Sequence, residues 1–433
     1  VDKEMMKEIE KELYQLRISN QLLQEEVDRL FNKKDLLRRV VNVFFLRPFK
    51  RLTRHTYRFL HLYDVNYQTD QFKPYVVDRR VEGNGQQINI LHIINNFKTG
   101  GASRIVVDLM EGLPNHYAHT VVTRYNPIPQ NYEGVNVLEY CDELTAKQVK
   151  NLLGSIQPQL VHIHWGTMWS REDSTWQWYY SIFKALEQQT IPIIQNVNLP
   201  VVPYFFKNAL VNYVFVSNYV LKRFGGLGLK NSVIYPGSDL SFFERKGEFS
   251  VGKNIGMVYR LDDHKLKPTS IDPFIIAAQL DNDIKVHIIG DGALKQIFEG
   301  KVRESGLDDQ FIFYSYVPYR DLPDIYEKLD LFIAPVFEES FGQVTPFAMS
   351  MGLPVLGYNT GALVEIIGDS SCLVDCGEAH ELARLIIEKL NCPEWIIKKG
   401  NENMKRAKRF SLDQMIHHYL KLYDQSLAYN FVK

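Results

Sequence analysis

Cysteine is scarce in this chain: Cys141, Cys372, Cys376 and Cys392 are the four among 433 residues. That number cannot staple a fold of this size, so a disulfide framework is excluded and reduced thiols are expected, as in the cytoplasm. Cys372, Cys376 and His380 lie close together, but no second ligand pair follows at zinc spacing, and no structural zinc is expected. Long apolar runs are missing too; none approaches the ~18 residues that cross a bilayer. No signal peptide is legible in a chain whose first residue is Val1. Neither sign of charge is in excess, with 50 Lys and Arg against 51 Asp and Glu, so net charge names no polyanionic or polycationic partner.

What is present is length enough for two or three domains and two local patterns near the start. Met6, Leu13, Asn20, Val27, Lys34 and Val41 fall on one heptad seam, with Ile9, Leu16, Leu23, Leu30 and Leu37 on the other. Five heptads with Leu along the second seam and one Asn on the first predict a parallel coiled coil over residues 1–42, most simply a dimer. An intramolecular helix is the competing reading; Glu25, Glu26, Asp28 and Arg29 leave it little apolar surface. Residues 31–62 then carry nine Lys or Arg and one Asp, interleaved with Phe44, Phe45, Leu46, Phe49, Tyr57, Phe59 and Leu60. Such a stretch suits an anionic membrane surface, or equally the outer face of the domains that follow. The expected location is cytoplasmic and peripheral on the inner face of the membrane. No nucleic-acid-binding pattern accompanies the basic stretch.

From Ile88 onward apolar strands alternate with helical segments: Ile88–Ile94, a turn through Gly100 and Gly101, a helix to Leu113, then strands near His119, Leu160, Ile191 and Tyr213. This alternation predicts a doubly wound parallel sheet with ligands at the carboxyl ends of its strands. A second such unit opens at Asn254–Leu261 and culminates in the stretch Leu329–Gly368. There an apolar strand leads through Glu338, Glu339, Ser340, Phe341 and Gly342 into a helix beginning at Gln343, which Gly352-Leu353-Pro354 stops. A carboxylate beside a helix N-terminus suits a phosphorylated sugar: the amides hold an anion and the carboxylate accepts from hydroxyls.

Glu339-Ser340-Phe341-Gly342, then Phe347-Ala348-Met349 and Gly352-Leu353-Pro354-Val355, resemble the donor-site signature of the family-four retaining glycosyltransferases. The resemblance covers roughly residues 88–425 and implies the GT-B fold, two Rossmann-like domains facing across a cleft. The expected boundaries are 87–245 for the acceptor domain and 246–411 for the donor domain. The final segment, 412–433, would be a helix crossing back to the first domain, and 43–86 a basic segment and linker. The family signature is E-x7-E; Glu339 supplies its first Glu, whereas Phe347 stands at its second.

The resemblance also implies roles. Arg260 and Lys265 would hold the donor diphosphate, with Lys267 as a neighbouring decoy, and Glu339 would accept from donor-sugar hydroxyls. Gly100 and Gly101 would close from the first domain, and amides around Ser340, Phe341, Gly342 and Gln343 would bind the donor. His164, at the end of the strand His162-Ile163-His164, would contact donor sugar or acceptor; bonding only to a nearby loop is the alternative. No metal and no cofactor are expected, the two cations standing in for a divalent ion. The implied activity is transfer of a sugar from a nucleotide diphosphate to a hydroxyl of a growing, lipid-linked glycan in surface polysaccharide synthesis. Two other readings are a catalytically weak scaffold, with Phe347 as its mark, and a sugar-nucleotide epimerase. Because Phe cannot accept a hydrogen bond, either the nucleotide is held loosely or Phe347 packs as core while Gln343 comes nearest the donor ribose, and Phe347→Glu is expected to fold and to tighten nucleotide binding modestly.

Overall fold

The computed structural model describes residues 75–77, 87–98, 100–127, 130–166, 174–207, 210–224, 230–247 and 251–428. They fall in the compact unit Pro74–Lys433; the expected coiled coil and most of the basic segment lie outside the described residues. The strands are β1 (Tyr75–Val76), β2 (Ile88–Asn96), β3 (Tyr117–Tyr125), β4 (Tyr132–Glu133), β5 (Val137–Glu139), β6 (Leu160–Trp165), β7 (Ile193–Val197), β8 (Val211–Phe215) and β9 (Asn231–Val233). They continue with β10 (Asn254–Val258), β11 (Lys285–Ile289), β12 (Phe311–Tyr314), β13 (Leu331–Ala334), β14 (Val355–Tyr358) and β15 (Leu373–Val374). Two parallel sheets result, ordered β5-β3-β2-β6-β7-β8-β9 and β12-β11-β10-β13-β14-β15, while β1 pairs only with β4.

Helices cover both faces of each sheet, which is why the central strands are continuous apolar runs rather than alternating ones. All four residues of β13 and all four of β14 are buried. In each sheet the strand order reverses beside the first strand, β2 or β10, the place where an open parallel sheet leaves a crevice beyond its carboxyl ends.

The chain does not end on the second sheet. The helix Leu412–Ala428 packs Met415, Tyr419, Tyr423 and Leu427 against Ile90, Leu160, Ile194 and Val214 of the first. Polar groups of the sheet pair with polar groups of this helix. The Tyr423 hydroxyl lies 2.7 Å from His162 Nδ1, Asn196 Nδ2 donates to the Tyr419 hydroxyl at 2.6 Å, and Asn212 Nδ2 donates to Ser426 Oγ at 2.9 Å. No helix among the described residues is long and apolar enough to cross a membrane.

Candidate functional site

After β10 the chain turns outward at Arg260 and returns through Lys265. Leu261 and Leu266 are fully buried and anchor this turn, which leaves Asp263 and His264 exposed. The Lys265 carbonyl accepts from the Phe337 amide at 2.8 Å, tying the turn to the loop that follows β13. That loop presents Glu339. Its carboxylate is buried, and Oε1 accepts from Lys265 Nζ at 2.7 Å while Oε2 has no partner. A buried carboxylate oxygen left without a donor costs energy and is poised for a hydroxyl.

Two glycines make room for Glu339. Gly342 has φ 75°, and a Cβ there would sit 2.4 Å from Glu339 Oε2; Gly361 has φ 53°, and a Cβ would sit 2.3 Å from the Glu339 carbonyl oxygen. Only glycine meets both the left-handed backbone and the close approach. Tyr259 is buried nearby, and its phenol is pushed far up, first by burial and then by the Glu339 charge. Arg260 differs from Lys265: its side chain is 75% exposed and its Nε pairs with Asp262.

The first half approaches the same place. The helix Gly101–Gly112 starts without a side-chain cap, and the Cβ position of Gly101 lies 3.5 Å from Gln343 Oε1. Gln343 precedes the helix Val344–Ser350, also without a side-chain cap, and its Nε2 donates to the Gly237 carbonyl at 2.9 Å. Thus Gly101, Lys265, Glu339, Gly342 and Gln343 come together around one cleft, with uncapped helix starts facing it from both sides. Ser340 is buried, and the Phe341 ring packs on Tyr235 and Phe410, each at 5.6 Å.

His164 is buried near the end of β6, with Nε2 3.2 Å from His92 Nδ1, and His92 Nε2 lies 2.9 Å from His119 Nδ1. Burial, and then the neighbouring His162, hold the His164 imidazole well below its usual pKa, so it is neutral. His92, His162 and His164 bring ligand atoms within 4.8 Å of one another. Both nitrogens of His162 are already engaged, by Tyr423 and by Asn196 Oδ1 at 3.0 Å.

Of the two outcomes left open for Phe347, the structure shows the ring packed as core. It is 6% exposed, stacked on Phe243 at 4.0 Å and 4°, with Tyr319 edge-on at 5.8 Å. Gln343, expected near a ribose, spends its amide on the Gly237 carbonyl instead.

Contacts between the halves were not foreseen. Glu365 accepts from the Asn218 and Tyr219 amides at 3.1 and 2.9 Å, and from the Tyr235 hydroxyl at 2.9 Å, capping a first-half helix from the second half. Glu338 accepts from the Tyr219 hydroxyl at 2.6 Å. No residue spacing signals pairs so far apart in the chain.

Two parallel α/β sheets with this cleft are the architecture of the GT-B glycosyltransferases, and solved members superpose on the chain. A sucrose-phosphate synthase from Thermosynechococcus elongatus matches with TM-score 0.65 at 17% identity, covering 79% of this chain and 100% of its own. HepE from Anabaena, solved with UDP and glucose, matches with TM-score 0.64 at 16% identity, covering 78% and 100%. Residues 241–410 match the model of the family described as Glycosyl transferases group 1. Among curated proteins, the 2-deoxystreptamine glucosyltransferase of Streptomyces kanamyceticus is 31% identical over 144 residues, 33% of this chain and 37% of its own length. The O-antigen chain mannosyltransferase B of Escherichia coli is 31% identical over 121 residues, 28% and 31% respectively. The alignments with these two relatives therefore span about a third of their length.

Proposed function

We propose that the protein is a retaining glycosyltransferase that moves a sugar from a nucleoside diphosphate to a hydroxyl of a growing, lipid-linked glycan. The observation that carries this reading is the Lys265–Glu339 pair, with one Glu339 oxygen unpartnered and the uncapped Gly101 helix opposite. Lys265 and Arg260 neutralise the charge that builds on the departing diphosphate, and the helix amides add donors. Glu339 Oε2 accepts from a donor-sugar hydroxyl. The bond from the anomeric carbon to the phosphate oxygen breaks as the bond to the acceptor oxygen forms on the same face. The acceptor proton passes to a phosphate oxygen, so no protein nucleophile is needed, and the two cations fill the place of a divalent metal. Closure of the two halves keeps water from competing. The kindred names of glucosyl- and mannosyltransferases support a hexosyl donor. Residues 1–42 pair two chains and the basic segment meets the cytoplasmic leaflet.

The test is release of free nucleotide when the protein is incubated with a panel of nucleotide sugars and extracted lipid-linked glycans. Release that requires the glycan supports transfer. Release without any acceptor requirement, or none with any donor, overturns it.

A further inference from the structure

Arg104 lies one turn into the Gly101–Gly112 helix, and nothing in the proposed chemistry uses it. Its guanidinium lies over two rings: the carbon is 4.6 Å from the centre of the Tyr75 ring and 5.1 Å from that of Tyr319. Tyr75 belongs to β1, just ahead of the first sheet, and Tyr319 belongs to the second half, between β12 and β13. The Arg104 side chain is only 16% exposed; its Nε donates to Asp108 Oδ1 at 2.6 Å, and Glu111 lies 3.8 Å away. Glu111 in turn accepts from the Tyr75 hydroxyl at 3.1 Å. The cation is therefore held from its own helix, by a carboxylate that is 3% exposed.

Tyr319 is equally fixed from behind. It stacks on Phe242 at 5.2 Å and 6°, meets Phe243 edge-on at 5.4 Å, and takes the edge of Phe347 at 5.8 Å. The residue that departs from the donor signature is thus part of the wall that presents Tyr319 to the opposite half. A planar guanidinium between two aromatic faces is a favourable and directional contact that a lysine ammonium reproduces poorly.

We propose that Arg104 is a positioning residue: stacked between Tyr75 and Tyr319, it clamps the two halves together so that the glycine turn at Gly101 meets Gln343 and the Lys265–Glu339 pair. The clamp rests on the glycosyl-transfer reading only for its effect on rate; the closed arrangement itself is independent of it. Its free-energy scale is that of a partly desolvated cation–π contact, which corresponds to about a tenfold effect on an equilibrium. The clamp also ties β1 to closure of the cleft.

The experiment uses the full chain with Arg104→Lys, Tyr319→Leu, the double variant and Tyr319→Phe. Each is followed by small-angle X-ray scattering with and without UDP, and by nucleotide release. Tyr319→Phe keeps a ring and is expected to scatter and turn over like the parent. Arg104→Lys and Tyr319→Leu are each expected to enlarge the radius of gyration and to lower kcat about tenfold, with UDP affinity changed less than threefold. If the two residues act as one clamp, the double variant is no worse than either single one. Losses that multiply to about a hundredfold overturn the clamp, as does scattering identical to the parent in every variant. A parent protein that releases no nucleotide from any donor defeats the transfer reading alone, because the scattering still decides whether the halves are clamped.

Discussion

At the scale of single residues, Lys265 carries the sharpest prediction. Lys265→Ala and Arg260→Ala are each expected to lower turnover by roughly two to four orders of magnitude, the scale for losing a charge partner in the transition state. Lys267→Ala serves as the control in the same assay; a severe loss there, with Lys265→Ala mild, would assign the wrong cation. Phe347 yields a stability prediction. Its ring fills a buried stack with Phe243, so Phe347→Ala is expected to cost about 3–5 kcal/mol in urea unfolding, and Phe347→Glu more because the carboxylate loses water without gaining a partner. An unchanged urea midpoint for Phe347→Glu would show that the pocket opens to solvent. Lys265, Glu339 and Gly342 were legible beforehand because their spacing in a turn and a signature is local. The use of Phe347 was not, since an apolar residue in a signature position looks the same whether it is loose or packed. The partner that decides, Phe243, is 104 residues away.

At the scale of elements, strands and helices were readable wherever burial on both faces left an uninterrupted apolar run, as in β13 and β14. Helix ends were less so: the helix expected from Gln343 starts at Val344, since Gln343 turns its amide to Gly237 instead of capping. The C-terminal helix was expected from the family resemblance, but its polar seat was not, because His162, Asn196 and Asn212 sit on three strands and meet their partners only after folding. That seat makes stability depend on pH. Burial lowers the His162 pKa to about 4, only partly offset by its Asn196 hydrogen bond. Between about 6.5 and about 4 the unfolded chain binds a proton that the folded one refuses, so stability falls as pH falls, by up to roughly 3 kcal/mol. Asp108 gives the opposite slope: burial raises it to about 7, so the folded state binds the extra proton there. The informative measurement is thus the difference between parent and His162→Asn across that range in urea unfolding. The gap is expected to narrow on acidification; a constant gap would show that His162 is not the group that titrates.

At the scale of the whole molecule, the heptad predicts that the full chain sediments as a dimer and that a chain lacking residues 1–42 sediments as a monomer. A monomeric full chain would make the heptad an intramolecular helix. The two parallel sheets were foreseeable from the repeated strand–helix alternation, and their facing across a cleft was implied by the family resemblance alone. How they touch was not, because Glu365 with Tyr219 and Arg104 with Tyr319 join residues that no periodicity relates. The seating of the last helix on the first sheet also has a consequence in time. During synthesis β2 to β8 are finished by Phe215, yet Ile90, Leu160, Ile194 and Val214 wait for Tyr419 and Tyr423 to leave the ribosome. At about 5–20 residues per second, that leaves the part of that face not covered by Ile105, Leu109 and Leu113 open for about 10–40 s. A newborn first half therefore keeps that patch open until the last helix has been made, and a chain cut short before Leu412 is expected to lose stability in the half made first.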